Sequence, residues 1–310
     1  MDDIAQAIEN AIGEGASGSE LACAKINLAL HVTGRRTDGY HQIETLVVFA
    51  DYADVVSAQA STDGRMRLTV KGPLAAKLAD TPPNDNLAIR AASELMRAAD
   101  GRQGKLPATK LVLTKRIPVA AGLGGGSADA AAALRLLNRE WRLKLSDDAL
   151  ARIALRLGAD VPMCLVSKPL IAKGIGERIT PVKGMPAMPI VLAAPSAAIP
   201  TASVFAKLSV EERSPLPPLP PKFGSLLEVI FWLRQARNDL AEPAAQVSKA
   251  TGAAAKALMR DPDCLFARMS GSGAAAFGIF ASMGAAERAA ERVRDAKPNW
   301  WVTAAMTLAS

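Results

Sequence analysis

The residues best suited to chemistry lie in one run, Pro118-Val119-Ala120-Ala121-Gly122-Leu123-Gly124-Gly125-Gly126-Ser127-Ala128-Asp129, which leads into the apolar stretch Ala130–Trp141. Four glycines directly ahead of a helical pattern permit positive φ and let main-chain N–H groups approach an anion with no Cβ in the way. The helix N-terminus behind them adds unpaired N–H donors and about half a positive charge. This arrangement predicts a phosphate cradle, with Ser127 either capping the helix or turning its hydroxyl toward phosphate or a metal ion. No Gly-Lys-[Ser/Thr] follows, so the run is not a Walker A loop. The third glycine of a dinucleotide fingerprint is missing, and no βαβ unit is evident. A tight turn that lets an Ala-rich helix pack closely would use the same residues.

Lys25 and Asp160 come next. Cys23-Ala24-Lys25-Ile26-Asn27-Leu28 sets the lysine in an apolar strand, where an ammonium is costly to bury unless an anion partners it. Asp160 stands between Gly158, a helix stop, and Pro162; a loop residue or the cap of a following turn is the plain reading. Tyr40 and His41 follow the turn Thr37-Asp38-Gly39. The three cysteines, Cys23, Cys164 and Cys264, are far apart, and the only histidines are His31 and His41. That pattern argues against a disulfide scaffold, a structural zinc site or a His-rich metal site.

Positioning such residues takes regular elements. Period-two apolar spacing predicts strands over Leu21–Val32, Ile43–Phe49, Val55–Ala58, Met66–Val70, Lys110–Arg116 and Met188–Ala194. Helices are expected over Ile4–Ile12, Asn86–Ala99 and Ser127–Trp141. Another begins at Ser146-Asp147-Asp148, buries Leu150, Ile153, Ala154 and Leu157, and stops at Gly158. After a Pro-rich loop at Ser214–Lys222, helices are expected near Leu227–Ala236 and Ala244–Met259. The end reads strand, strand, helix, strand over Cys264–Met269, Ala275–Phe280, Ala285–Ala296 and Trp301–Leu308, half of a split βαβ arrangement. The expected class is α+β in two domains.

The chain has 310 residues, 50% of them apolar and 22% charged, which argues against disorder. Lys and Arg outnumber Asp and Glu by 37 to 30, an excess that suits nucleic acid, an anionic membrane surface or polyphosphate substrates. The positive charge is dispersed, with no Lys/Arg run longer than two residues, which argues against a nucleic-acid-binding module. No basic segment leads into an apolar one near Met1, and no apolar window is long enough to span a membrane. A cytoplasmic protein is the expectation, without nucleic-acid or membrane partners, as a monomer or weak homodimer.

Pro118–Ala133 resembles the central motif of the GHMP small-molecule kinases. Ala24-Lys25-Ile26-Asn27-Leu28 and Ser270-Gly271-Ser272-Gly273-Ala274-Ala275-Ala276-Phe277-Gly278 agree with that family in order and spacing. Further blocks are Gly34–His41, Asn86-Leu87, Gly158–Pro162, Gly174–Arg178, Pro200-Thr201 with Val204-Phe205, and Asn238-Asp239-Leu240. Within the superfamily they are most similar to the kinases of a cytidine-diphosphate-linked methylerythritol, in the non-mevalonate route to isoprenoids. Departures are Ala274–Ala276 where relatives carry bulkier residues, Ala241-Glu242 after the Asn-Asp-Leu block, and Cys164 where an aromatic is common.

The resemblance implies a two-domain GHMP kinase fold, with an N-terminal domain like one found in ribosomal proteins and a ferredoxin-like C-terminal domain. It places an extension over 1–20, an ATP-binding domain over 21–165 and a substrate-side domain over 166–310. It implies ATP as co-substrate, with magnesium, for which Ser127 is the candidate protein ligand. Pro118, Ala120, Gly122, Leu123, Gly124, Gly125, Gly126 and Ser127 would bind the nucleotide, with its phosphates on Gly122–Ser127, and Asn86 would lie near adenine. Asp160 would accept or orient the hydroxyl proton, with Lys25 holding it ionised and neutralising charge as the phosphoryl group moves. His41 would hydrogen-bond cytosine while Tyr40 and Phe205 stack on it; Asn27, Thr201 and Gly271 would hold the remainder of the substrate. His31 is read as structural. A homoserine or mevalonate kinase of the same superfamily is the alternative, and it would have no use for Tyr40, His41 and Phe205.

Overall fold

The computed structural model describes residues 16–61, 64–99, 106–197, 199–209 and 213–310; the helix expected over Ile4–Ile12 lies outside them. Two compact units take the chain by turns. One holds the described parts of Met1–Ala24 and Tyr52–Val119 with Gly124–Val166; the other holds Lys25–Asp51, Ala120–Leu123 and the described parts of Ser167–Ser310. Two 20-residue strands, β1 (Ala16–Arg35) and β2 (His41–Ala60), pair with each other.

β2 runs unbroken through what the sequence suggests are two strands. The intervening Ala50–Asp54 looks like a polar gap, but both of its carboxylates are satisfied. Asp51 accepts the Met306 N–H at 2.9 Å. Asp54, wholly buried, accepts the N–H groups of Arg116 and Ile117 and an ammonium hydrogen of Lys115.

In the first unit, Val55–Ala60 of β2 pairs antiparallel with β4 (Thr109–Thr114), which pairs parallel with β3 (Arg67–Lys71). The helices here are α1 (Leu87–Ala99), α2 (Gly125–Glu140), α3 (Asp147–Leu157) and α4 (Val161–Val166). Five successive residues of α2, Ala130 to Leu134, are fully buried, so this stretch is apolar on every face. α3 follows its expectation: Ser146 accepts the Ala149 N–H at 3.3 Å, and Leu150, Ile153, Ala154 and Leu157 are buried. Arg135 of α2 reaches the main-chain oxygens of Leu21 (2.8 Å) and Cys164 (2.9 Å), tying β1 and the end of α4 to it.

A buried charge cluster lies in this unit. The Lys115 ammonium donates to Asp129 at 2.9 Å and to Asp54, and all three side chains are inaccessible. Burial opposes the ammonium, but the two carboxylates outweigh it and raise its pKa. Burial also pushes the Asp129 carboxyl well above the usual carboxylate range, against the pull of Lys115.

In the second unit, Ile43–Val47 of β2 pairs antiparallel with β5 (Leu170–Gly174), and β5 with β6 (Arg178–Pro181). After β7 (Pro189–Ala194) come α5 (Thr201–Phe205) and α6 (Leu226–Gln235). The single helix expected over Ala244–Met259 is two, α7 (Ala241–Val247) and α8 (Ala253–Met259), because Gly252 turns between them at φ +76°. β8 (Cys264–Met269), β9 (Ala276–Phe280), α9 (Met283–Ala296) and β10 (Trp301–Met306) complete the chain. The strand order β10-β7-β9-β8, antiparallel throughout, is the ferredoxin-like split βαβ sheet. Small residues let α9 approach it closely: Ala285, Ala286, Ala289 and Ala290 pack with Val191 and Ala193. Among the described residues no helix is long and apolar enough to cross a membrane.

His31 is structural, as expected. Its Nε2 accepts the Arg237 N–H at 3.0 Å, which leaves Nδ1 to donate to the Ser214 oxygen at 3.0 Å. Burial lowers its pKa.

Two outcomes follow. Lys115→Met strands two buried carboxylates and should cost about 3–5 kcal/mol of unfolding free energy in a denaturant titration. The neutral native His31 binds fewer protons than the unfolded chain, whose histidine titrates near about 6.5. Its contribution is therefore intact above that pH and declines as pH falls toward the lowered native value. The melting-temperature advantage of the wild type over His31→Gln should shrink between about pH 7 and pH 5.

Candidate functional site

The glycine run has its carbonyls tied down. Ala121 O accepts the Ala275 N–H (2.9 Å), Gly122 O accepts the Ser270 hydroxyl (3.0 Å), and Leu123 O accepts the Lys25 N–H (2.9 Å). In a trans peptide the carbonyl and the following N–H point in opposite senses. The N–H groups of Gly122, Leu123 and Gly124 are therefore directed away from those partners. Gly122 sits at φ +81°, and a Cβ there would lie 2.6 Å from Ser270 O, so only glycine fits.

α2 begins at Gly125, earlier than expected, with left-handed Gly124 (φ +64°) as its N-cap. Ser127 consequently lies inside the first turn rather than capping it. The first intrahelical bond runs from Ala128 N–H to Gly124 O at 2.8 Å, which leaves the N–H groups of Gly125, Gly126 and Ser127 without intrahelical acceptors. A Cβ on Gly125 would come within 3.0 Å of Lys115 Nζ, so the helix start rests on the buried ammonium. Pro118 and Ala120 flank the run, Ala120 at φ +53°.

β1 carries the next group. Lys25 is 3% exposed, and its Nζ donates to Asn27 Oδ1 at 2.8 Å. Asn27 Nδ2 donates to the Thr45 hydroxyl at 2.8 Å, and the Asn27 N–H donates to Ser270 Oγ at 3.1 Å. Ser270 thus ties Asn27 to Gly122. Gly271, at φ +54°, leaves only 3.1 Å between a would-be Cβ and Asn27 Oδ1. Asn238 supports this turn by donating to Met269 O and Gly271 O, both at 2.9 Å. Asp239 beside it accepts the Val32 N–H of β1 at 2.8 Å.

Thr201 opens α5, and its hydroxyl lies 2.9 Å from that of Ser272. At the other end of α5 the Phe205 ring meets His41, centroids 5.3 Å apart. Partial burial, with the charge of Arg35, lowers the His41 pKa. The neighbouring Tyr40 is 60% exposed. In the first unit Asn86 caps α1, its Oδ1 accepting the Ala88 N–H at 2.9 Å. Asp160 immediately precedes α4 and accepts the Cys164 N–H through its main-chain oxygen at 3.2 Å. Asp160 and Lys25 belong to different units.

The structure thus joins Lys25, Asn27 and Gly271 with Ala120–Leu123 at the start of the glycine run, and separately His41 with Phe205. Sequence reasoning noted Ser270 and Asn238 without giving them a role, and it missed Thr45 and the pairing of Asp54, Lys115 and Asp129. An aspartate inside an alanine helix was the one signal available for the last. Among the described residues no group of three or more His, Cys, Asp or Glu could hold a metal ion. The donor set suits a cation carried in by phosphates better than one caged by protein: a half-buried Ser127 hydroxyl beside main-chain N–H groups that attract anions.

Residues 86–168 match the GHMP kinases N terminal domain, and residues 223–299 the GHMP kinases C terminal domain. A 4-diphosphocytidyl-2-C-methyl-D-erythritol kinase of Mesorhizobium japonicum is 46% identical over 93% of this chain and 95% of its own length. A solved 4-(cytidine 5'-diphospho)-2C-methyl-D-erythritol kinase superposes with a TM-score of 0.75 at 31% identity, over 94% of this chain and all of that one. A homoserine kinase from Cytophaga hutchinsonii gives 0.67 at 16% identity, over 94% of each chain, a likeness of fold alone.

Gly122→Ala and Gly126→Ala should separate packing from binding. The first meets main-chain oxygens and positive φ and should lower the melting temperature. The second meets only Leu87 at 3.5 Å; it should keep the melting temperature and weaken ATP affinity in calorimetry by covering the N–H groups.

Proposed function

The chain belongs to the GHMP kinases, in the family of the 4-diphosphocytidyl-2-C-methyl-D-erythritol kinases, and we propose that it transfers the γ-phosphoryl group of ATP to the 2-hydroxyl of that cytidylyl substrate, in the non-mevalonate route to isoprenoids. One observation carries the reading: the main-chain N–H of Lys25 holds Leu123 O, so the buried lysine and the Ala120–Leu123 start of the glycine run are built as one piece.

Phosphoryl transfer asks for positioning and charge stabilisation more than for a strong base. The N–H groups of Gly122–Ser127, with Pro118 and Ala120 shaping the approach, receive the phosphates, and Asn86 lies by the adenine. Ser127 would offer its hydroxyl to magnesium, which would neutralise phosphate charge when bound. Lys25 stabilises negative charge on the moving phosphoryl group, and Asp160 orients the accepting hydroxyl. Asn27, Thr201 and Gly271 hold the methylerythritol diphosphate; His41 bonds the cytosine, and Tyr40 and Phe205 flank it. The enzyme acts in the cytoplasm as a monomer or weak homodimer. The His41–Phe205 ring pair favours this substrate over homoserine or mevalonate, which have no ring to stack.

A coupled ATP-consumption assay should show turnover with the cytidylyl substrate and none with homoserine or mevalonate; activity on homoserine alone would sink the reading. Asp160→Ala should lower kcat by roughly 10²–10⁴ while ATP binding holds; near-normal turnover of the purified variant refutes that role.

A further inference from the structure

Thr45 of β2 is wholly buried, and its hydroxyl has one proton to donate. That proton goes to the main-chain oxygen of Ala29, 2.7 Å away. A carbonyl only accepts, so the sense of this bond is fixed. The Thr45 oxygen is left to accept from Asn27, whose amide nitrogen lies 2.8 Å away. With Nδ2 committed there, Oδ1 is turned to Lys25 Nζ at 2.8 Å, and an ammonium only donates. The relay from Ala29 through Thr45 and Asn27 to Lys25 therefore has one sense.

We propose that Thr45 is a positioning residue for phosphoryl transfer, anchoring the Asn27 amide so that its oxygen stays at the Lys25 ammonium. The inference rests on the reading that Lys25 and Asn27 serve the reaction. Without the hydroxyl, nothing orders the two ends of the amide from the Thr45 side. The buried Nδ2 group then lacks that acceptor, so the amide shifts and Oδ1 is no longer held in place at the Lys25 ammonium. Lys25 moves away, and Asn27, anchored through its N–H to Ser270, cannot follow.

The test uses the full chain with ATP and the cytidylyl substrate. Thr45→Val keeps the shape and removes the hydroxyl; Thr45→Ser keeps the hydroxyl and removes the methyl. Expected is a loss of about 10- to 100-fold in kcat for the valine variant, the scale seen when a residue orienting a ligating or reacting group is removed. Its KM for ATP should stay within about twofold of wild type and the Asn27 side-chain amide signals in a ¹⁵N spectrum should shift, while Thr45→Ser recovers most of the turnover. If the valine variant does not fold, Thr45→Ala carries the comparison. Unchanged kcat without the hydroxyl, or a serine variant as impaired as the valine one, overturns the proposal. Lys25→Ala run alongside separates the two readings. Loss of turnover there with a fully active Thr45→Val counts against Thr45 alone. Full turnover in Lys25→Ala overturns the site reading and the inference with it.

Discussion

A buried ammonium has to be met by oxygen, and in the first unit that requirement organises everything near the helix start. Lys115 follows β4, Asp54 lies in β2, and Asp129 lies in the first turns of α2. Removing an ammonium from water costs several kcal/mol, which only close carboxylates offset. The three elements are therefore fixed against one another by charge, whereas the alanine surface of α2 alone would tolerate sliding. Asp54 also accepts two main-chain N–H groups just before Pro118, so the same cluster sets the direction in which the chain enters the glycine run.

The second unit sets neutral, directional groups beside its own buried lysine. Lys25 is met by the amide of Asn27, and the partners behind it are hydroxyls and main-chain carbonyls. Hydroxyls and amides carry direction as well as strength, because each has defined donor and acceptor ends. An ion cluster suits a part that must stay put. A directional relay suits one that must present a particular atom.

Local physics was legible in the sequence. Ser146 caps α3 through its side chain, the apolar spacing of α3 gave its buried face, and the final strand–strand–helix–strand run folds as read. What escaped depends on partners far along the chain. Asp54 and Lys115 are 61 positions apart, so the polar stretch in β2 looked like a break. Asn27 and Ser270 are separated by 243. Gly252 divides a helix whose alanines read as continuous, because propensity does not report a left-handed turn. Of the candidate site, the glycine run, Lys25 and the His41–Phe205 neighbourhood were visible as residue types. The groups that aim them were not, since a buried threonine or serine in a strand looks like any other.

The glycine run gains its meaning from what is done to its carbonyls. Glycines by themselves make a chain permissive, and a permissive loop loses more entropy on ordering than any other. Here three consecutive carbonyls are bonded to Ala275, Ser270 and Lys25. Each bond removes a rotation that glycine would otherwise allow and turns one N–H outward. The cost of ordering is met when the protein folds, so an arriving phosphate would find donors already aligned. Preorganisation of this kind separates an anion site from a flexible turn of the same composition. It is specified by β1 and the second glycine turn, and only in part by the run itself.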